Sequence, residues 1–156
     1  MMAIPCRARL VALGLLIGAG GAVHASLPSF EDCKVQDSPA VASAAVHLSS
    51  SQQKKYAAQL RQAAARPANF SGPHVMATWG CGAGCVMGAA ISKKDGRVVM
   101  LPFTLSNWPL DVLEPLSFRK DSCLLIAQGS RDEKGQGRYF YRFDGKTFVL
   151  VDSVER

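Results

Sequence analysis

Acidic groups are scarce in this chain, with 12 Asp and Glu against 18 Lys and Arg over 156 residues and a formal charge of +6. The carboxylates fall mainly in turn-like stretches (Asp95, Asp121, Asp132, Glu133, Asp144), which suggests no pair set up for acid–base catalysis. Histidine is rarer still: His24, His47 and His74. Neither G-x-S-x-G nor H-E-x-x-H occurs, so two common hydrolase signatures are missing. The cations are spread out and interleaved with acids rather than gathered in a tract, which argues against a nucleic-acid partner. No internal repeat is visible. The longest apolar run, Leu10 to Val23, is shorter than the ~20 residues needed to span a bilayer.

That run has another reading. Arg7 and Arg9 precede it, and Val23-His24-Ala25 follows it as a small-x-small cleavage pattern. Residues 1–25 are therefore expected to be a signal peptide, cleaved after Ala25. The mature chain is then periplasmic or secreted, meets a membrane only through the lost leader, and keeps a charge of +4 once Arg7 and Arg9 are gone.

Removing the leader also removes Cys6 and leaves Cys33, Cys81, Cys85 and Cys123. An even number of cysteines in an exported chain reads as two disulfides. Three pairings are possible, and spacing favours Cys81–Cys85 with Cys33–Cys123. Closing the short loop stabilises by only ~2 kcal/mol in the chain-entropy model, the long one by ~4.6 kcal/mol. The long bond is the staple; the short one fixes the shape of a loop.

Hydrophobic patterning gives the elements. Residues 26–39 lack a period and Ala40 to Leu48 reads as a helical turn or a loose segment, so 26–49 is taken as an extended lead-in. Residues 50–156 read as a single α+β domain: one N-terminal helix packed on an antiparallel sheet of about five or six hairpin-linked strands. The helix is Gln52 to Ala65, built of strong helix formers with Tyr56, Leu60 and Ala63/Ala64 as its buried stripe, and Pro67 ends it. Strands are expected at His74–Trp79, Cys85–Ser92, Arg97–Leu101, Leu116–Arg119 and Cys123–Gly129. Pro102 to Pro115 reads as a loop or short helix, and Ser130 to Gln136 as an exposed hairpin loop. With Asp144-Gly145 as a two-residue turn, Phe143 faces Lys146, Tyr141 faces Phe148 and Tyr139 faces Leu150. The Tyr139/Tyr141/Phe148/Leu150 face is expected to meet the core.

The most distinctive stretch is Trp79-Gly80-Cys81-Gly82-Ala83-Gly84-Cys85, flanked by apolar runs on both sides. It reads as a β-hairpin tip clamped by a disulfide across three residues. Together with Asn69-Phe70-Ser71-Gly72 and the aromatic hairpin Arg138 to Gly145, it resembles a group of small exported bacterial proteins of unknown function that share N-F-x-G and W-G-C-G-x-x-C segments. The resemblance covers roughly residues 50 to 152. It implies an exported single domain and carries no activity with it.

Other chemistry for the cysteine pair stays open. Redox use is disfavoured by three intervening residues and by the β-like sequence that follows, where thioredoxin-like sites place two residues and a helix. Copper binding by Cys81, Cys85 and His74 would suit soft ligands, but Gly82 stands where periplasmic C-x-x-x-C copper sites carry proline. A hydrolase would have to use His74 as its base. Candidate ligand contacts are Trp79, Trp108 and the pair Arg138 and Arg142. Exposure of Trp108 together with Leu110 would mark a contact surface. The leading expectation is a disulfide-stabilised binding or structural module of the cell envelope, without catalytic residues or cofactor, whose partner is a protein or an anionic ligand.

Overall fold

The structure, a computed structural model, describes residues 26–36, 39 and 42–155. The expected signal peptide lies outside the described residues. Among those described, no helix is long and apolar enough to cross a membrane.

The fold is sheet-dominated. Eight antiparallel strands form one sheet: β1 (His74–Gly82), β2 (Cys85–Ser92), β3 (Val98–Met100), β4 (Leu105–Ser106), β5 (Leu116–Phe118), β6 (Leu124–Arg131), β7 (Lys134–Phe143) and β8 (Phe148–Glu155). The main path is β1-β2-β4-β6-β7-β8, with β3 also on β2 and β5 also on β6. Eight strands replace the five or six expected. The strand with no counterpart among the expected segments is β4, two residues inside the segment expected to be a loop or short helix. Two residues carry no periodicity, yet β4 pairs β2 on one side and β6 on the other and joins the two halves of the sheet.

The single long helix is corrected as well. Residues 51–64 form two short helices, α1 (Ser51–Lys55) and α2 (Ala57–Ala64), separated at Tyr56, whose φ of −105° and ψ of 25° leave the helical region. The break coincides with a tilted contact between the Tyr56 and Trp79 rings, centroids 5.3 Å apart. Ser50 caps α1 by accepting from Gln53 N, and Gln53 Oε1 accepts from Ser50 N in return and from Ser49 N as well. The amide of buried Gln53 donates to Val98 O, tying the helix start to β3. Helix α2 buries Leu60, Ala63 and Ala64 against Val75, Ala77, Ala89, Ile91 and Val98. This is the expected stripe, carried by a shorter helix. Lys93 Nζ donates to the carbonyls of Ala64 and Arg66, satisfying groups that the helix end leaves open.

The main core lies on the other face. Phe70 is fully buried and contacts Phe118, Phe143 and Phe148, with centroids 5.3–6.1 Å apart. Its position follows from the N-F-x-G segment. Ser71 and Gly72 both adopt positive φ, and Asn69 Oδ1 accepts from Met76 N. The turn thereby folds back on β1 and drives the phenylalanine inward. Met76, Ala90, Leu101 and Phe103 from one half of the sheet meet Leu125, Tyr139, Tyr141 and Phe143 from the other. Residues of both halves share one cluster, so the sheet curls over its own inner face.

The last hairpin has a different register from that expected. Phe143 pairs with Phe148, Arg142 with Val149 and Tyr141 with Leu150. The turn is therefore four residues, Asp144 to Thr147, because Asp144 Oδ1 accepts from both Lys146 N and Thr147 N. A bulge at Val151 then places Ser153, not Leu150, opposite Tyr139. Leu150 is 42% exposed rather than core, while Tyr139, Tyr141 and Phe148 are buried as expected. The segment Ser130–Gln136 is also corrected. Strands run through it to a two-residue tip, Asp132-Glu133, with both residues at positive φ (50° and 63°).

Two disulfides join the expected partners. Cys33 and Cys123 lie with Cα atoms 5.4 Å apart and tie the N-terminal segment to β6; Cys81 and Cys85 lie 5.2 Å apart at the β1–β2 tip. The first bond is supported by Ser122, fully buried, whose hydroxyl donates to Phe30 O and accepts from Leu124 N.

Candidate binding surface

The β1–β2 tip is built by its glycines and its bulge. Gly80 pairs Val86 and Gly82 pairs Cys85, so Cys81 is the extra residue of a bulge. The turn is Ala83-Gly84, one residue shorter than the three-residue tip expected, and Gly84 supplies the left-handed φ of 63° that a tight hairpin demands. The disulfide closes across this bulge and leaves both cysteines half-buried.

Three segments converge beside the clasp. They are the tip itself, the 104–110 loop and the Asp132-Glu133 turn. Between them lies an open cleft of about 590 Å³ lined by Gly84, Cys85, Ser106, Trp108, Leu110 and Glu133, among others. The first part of the loop is anchored twice. Thr104 N and Oγ1 donate to Asp132 Oδ1, Asp132 N donates back to Thr104 O, and Gln136 Nε2 donates to Asn107 O. Asn107 itself has a φ of 49°. Beyond it the chain turns at Pro109–Val112, and Leu110 and Leu113 project with 102% and 90% of their surface exposed. Trp108 is half-buried at the cleft wall. The joint exposure that marks a contact surface is thus complete for Leu110 and partial for Trp108.

The other sequence candidates lie elsewhere. Trp79 packs on Tyr56 among the residues under α1 and α2, and its buried Nε1 has no hydrogen-bond partner among the described residues. Arg138 and Arg142 stand exposed on the outer face of β7, Arg138 over the Phe140 ring with its guanidinium carbon 5.4 Å from the centroid. The structure does not bring either to the cleft.

His74 sits at the opposite end of β1 from Cys81, about 23 Å away at ~3.3 Å per residue. The set Cys81, Cys85 and His74 is therefore not assembled, and no group of three metal-binding side chains occurs among the described residues. The His74 Nδ1 lies 2.9 Å from Ser71 O, which makes Nδ1 the protonated nitrogen, and its ring meets Phe143 edge-on at 5.0 Å. Burial holds its pKa below the ordinary 6.5, opposed by the Ser71 carbonyl. Two Ser-x-x-Lys tetrads that sequence reasoning passed over, Ser51–Lys54 and Ser117–Lys120, start from exposed serines on α1 and β5. Neither lines the cleft.

Sequence reasoning also missed Arg131, placed in an expected loop. It ends β6 and turns inward. Its guanidinium carbon lies 3.7 Å from the Tyr139 ring centroid, and Nη1 donates to Tyr141 Oη at 2.7 Å. Alternation continued along β6 from Leu125 and Ala127, the partners of Tyr141 and Tyr139, would have put it on the tyrosine face.

Comparison with known proteins brings no match, whether to a protein-family model, a curated protein or a solved structure.

Proposed function

We propose that this chain is an exported, non-catalytic binding module of the bacterial cell envelope, related to the small exported proteins that its W-G-C-G-x-x-C segment resembles. Its contact surface is the loop around Trp108, Leu110 and Leu113, held in place beside the clasped β1–β2 tip. Export is supported by the leader-like N-terminus and by disulfides, which persist in oxidising compartments.

The observation that carries the reading is the full exposure of Leu110 and Leu113 on a loop whose start is fixed by hydrogen bonds. Covering a leucine is worth roughly 1.5–3 kcal/mol, so two exposed on one loop favour an apolar partner surface. The test is a photo-crosslinking residue at position 110, compared with one at Arg61 on α2, in envelope extract. A discrete adduct at 110 alone, competed by the unlabelled protein but not by its Leu110→Asp form, supports the reading. No adduct at 110, or equal adducts at both positions, overturns it.

Because Cys85 lines the same cleft, a second reading makes Cys81–Cys85 the reagent in thiol–disulfide exchange with a docked thiol protein. A reduction potential near those of oxidoreductases favours it. One below about −300 mV leaves the bond structural.

A further inference from the structure

A second cleft, of about 610 Å³, opens on the other side of the Asp132-Glu133 turn, between Phe103 and β8. Its walls are aromatic and apolar: Phe103, Tyr141, Phe148 and Leu150. Phe103 and Tyr141 stack with centroids 4.9 Å apart, which fixes the floor. One cation reaches into it from below, Arg131, its side chain 27% exposed.

The hydrogen bonding of Arg131 is incomplete. It stacks on Tyr139, and Nη1 donates to the Tyr141 oxygen. Its Nε is buried without a partner among the described residues. The nearest carboxylate among the described residues, Glu155, stands 3.8 Å from Nη2, beyond hydrogen-bond length, and is 60% exposed. Asp132 is turned to Thr104, which donates to it twice. Lys134 adds a second positive charge at the rim. Tyr141 accepts from Arg131, so its own O–H is left to donate. Burial raises the Tyr141 pKa, so that proton is kept at neutral pH. A guanidinium and a phenol O–H side by side make a two-donor seat for one carboxylate. A dianion would find too little charge here, and a bare carboxylate would leave the aromatic wall unused.

We propose that this cleft binds a small monocarboxylate with an apolar body, its carboxylate on Arg131 and Tyr141 and its body along Phe103, Phe148 and Leu150. Glu155 is the resident counter-charge that the ligand displaces. The site is separate from the Leu110 surface, so either reading can fail alone. A free organic acid and the C-terminus of a peptide ending in an aromatic residue share this chemistry.

The test uses the full chain, isolated in its disulfide-bonded form, titrated with 4-phenylbutyrate and followed by amide NMR. Saturable shifts are expected at Arg131, Tyr139, Tyr141 and Leu150. The acid should bind about tenfold or more tighter than 4-phenylbutanamide, and Arg131→Gln should lose a similar factor. Tyr141→Phe should weaken binding about threefold to tenfold, and Glu155→Gln should tighten it. A peptide ending in free Phe that binds tighter than 4-phenylbutyrate identifies a chain terminus as the source; weaker binding identifies the free acid. Equal binding of acid and amide overturns the proposal. So does unchanged affinity in Arg131→Gln, or no saturable shift at about 10 mM. Should Arg131→Gln not fold, Tyr141→Phe and the acid–amide comparison decide.

Discussion

Phe143 and Phe148 face each other across the last hairpin, ring centroids 4.6 Å apart, and both pack on the fully buried Phe70. The three rings close the core where β7 and β8 leave their turn. Truncating either hairpin phenylalanine to alanine opens a cavity there, and the expected loss is about 3–5 kcal/mol of unfolding free energy. Lys146→Ala, at the position that the two-residue turn would have set opposite Phe143, is expected to change stability by less than about 0.5 kcal/mol. Urea unfolding of the three variants measures this, and a costly Lys146→Ala would contradict the register.

The two disulfides should contribute unequally. Cys33→Ser with Cys123→Ser removes a constraint over 90 residues of sequence and is expected to cost about 4–5 kcal/mol. Cys81→Ser with Cys85→Ser removes one over 4 residues and should cost about 2 kcal/mol. Comparing urea midpoints of the two double variants gives the ranking; a larger loss at the tip would contradict it.

His74 makes stability depend on pH in one direction. Burial lowers its pKa in the folded chain, with the Ser71 carbonyl and Asp95 opposing and Lys94 assisting. The unfolded chain therefore binds a proton more readily than the folded one. The contribution of His74 to stability is full above the ordinary value of 6.5, declines as pH falls below it, and levels off below the folded pKa. In His74→Gln that part of the slope should vanish. Urea midpoints across pH 4 to 8 (roughly the range a histidine controls) test it, and an unchanged slope would remove His74 as the cause.

Asp132 and Glu133 hold a left-handed backbone without glycine. Such a conformation costs an ordinary residue roughly 1–2 kcal/mol, partly regained as chain entropy when glycine takes its place. Glu133→Gly is expected to stabilise by about 0.5–1 kcal/mol. Asp132→Gly should not, because it also loses the two bonds from Thr104. Thermal unfolding of the pair measures the difference.

Much of this was legible along the chain. Cysteine spacing favoured, among three possible pairings, the two disulfides that the structure contains. The strand Cys85–Ser92 was read with its observed bounds, and β3 (Val98–Met100) lies inside the expected Arg97–Leu101. The last hairpin shows where such reading stops. Its expected register was two residues out as far as Leu150, and a shift of two leaves those side chains on their own faces. The tyrosines were therefore assigned to the core correctly while their cross-strand partners were not. Asp144 decided the turn by accepting two backbone bonds, a choice that the Asp-Gly pair alone does not reveal.

The sequence by itself determined a strand-rich chain with an aromatic inner face and four cysteines whose spacing favours one pairing, because these depend on spacing and on the two-residue period of a strand. Only the tertiary structure decided that β4 joins the sheet halves and that Leu110 and Leu113 stay uncovered. Each of these depends on segments far apart in the chain meeting in space, and no local pattern of residues encodes that meeting.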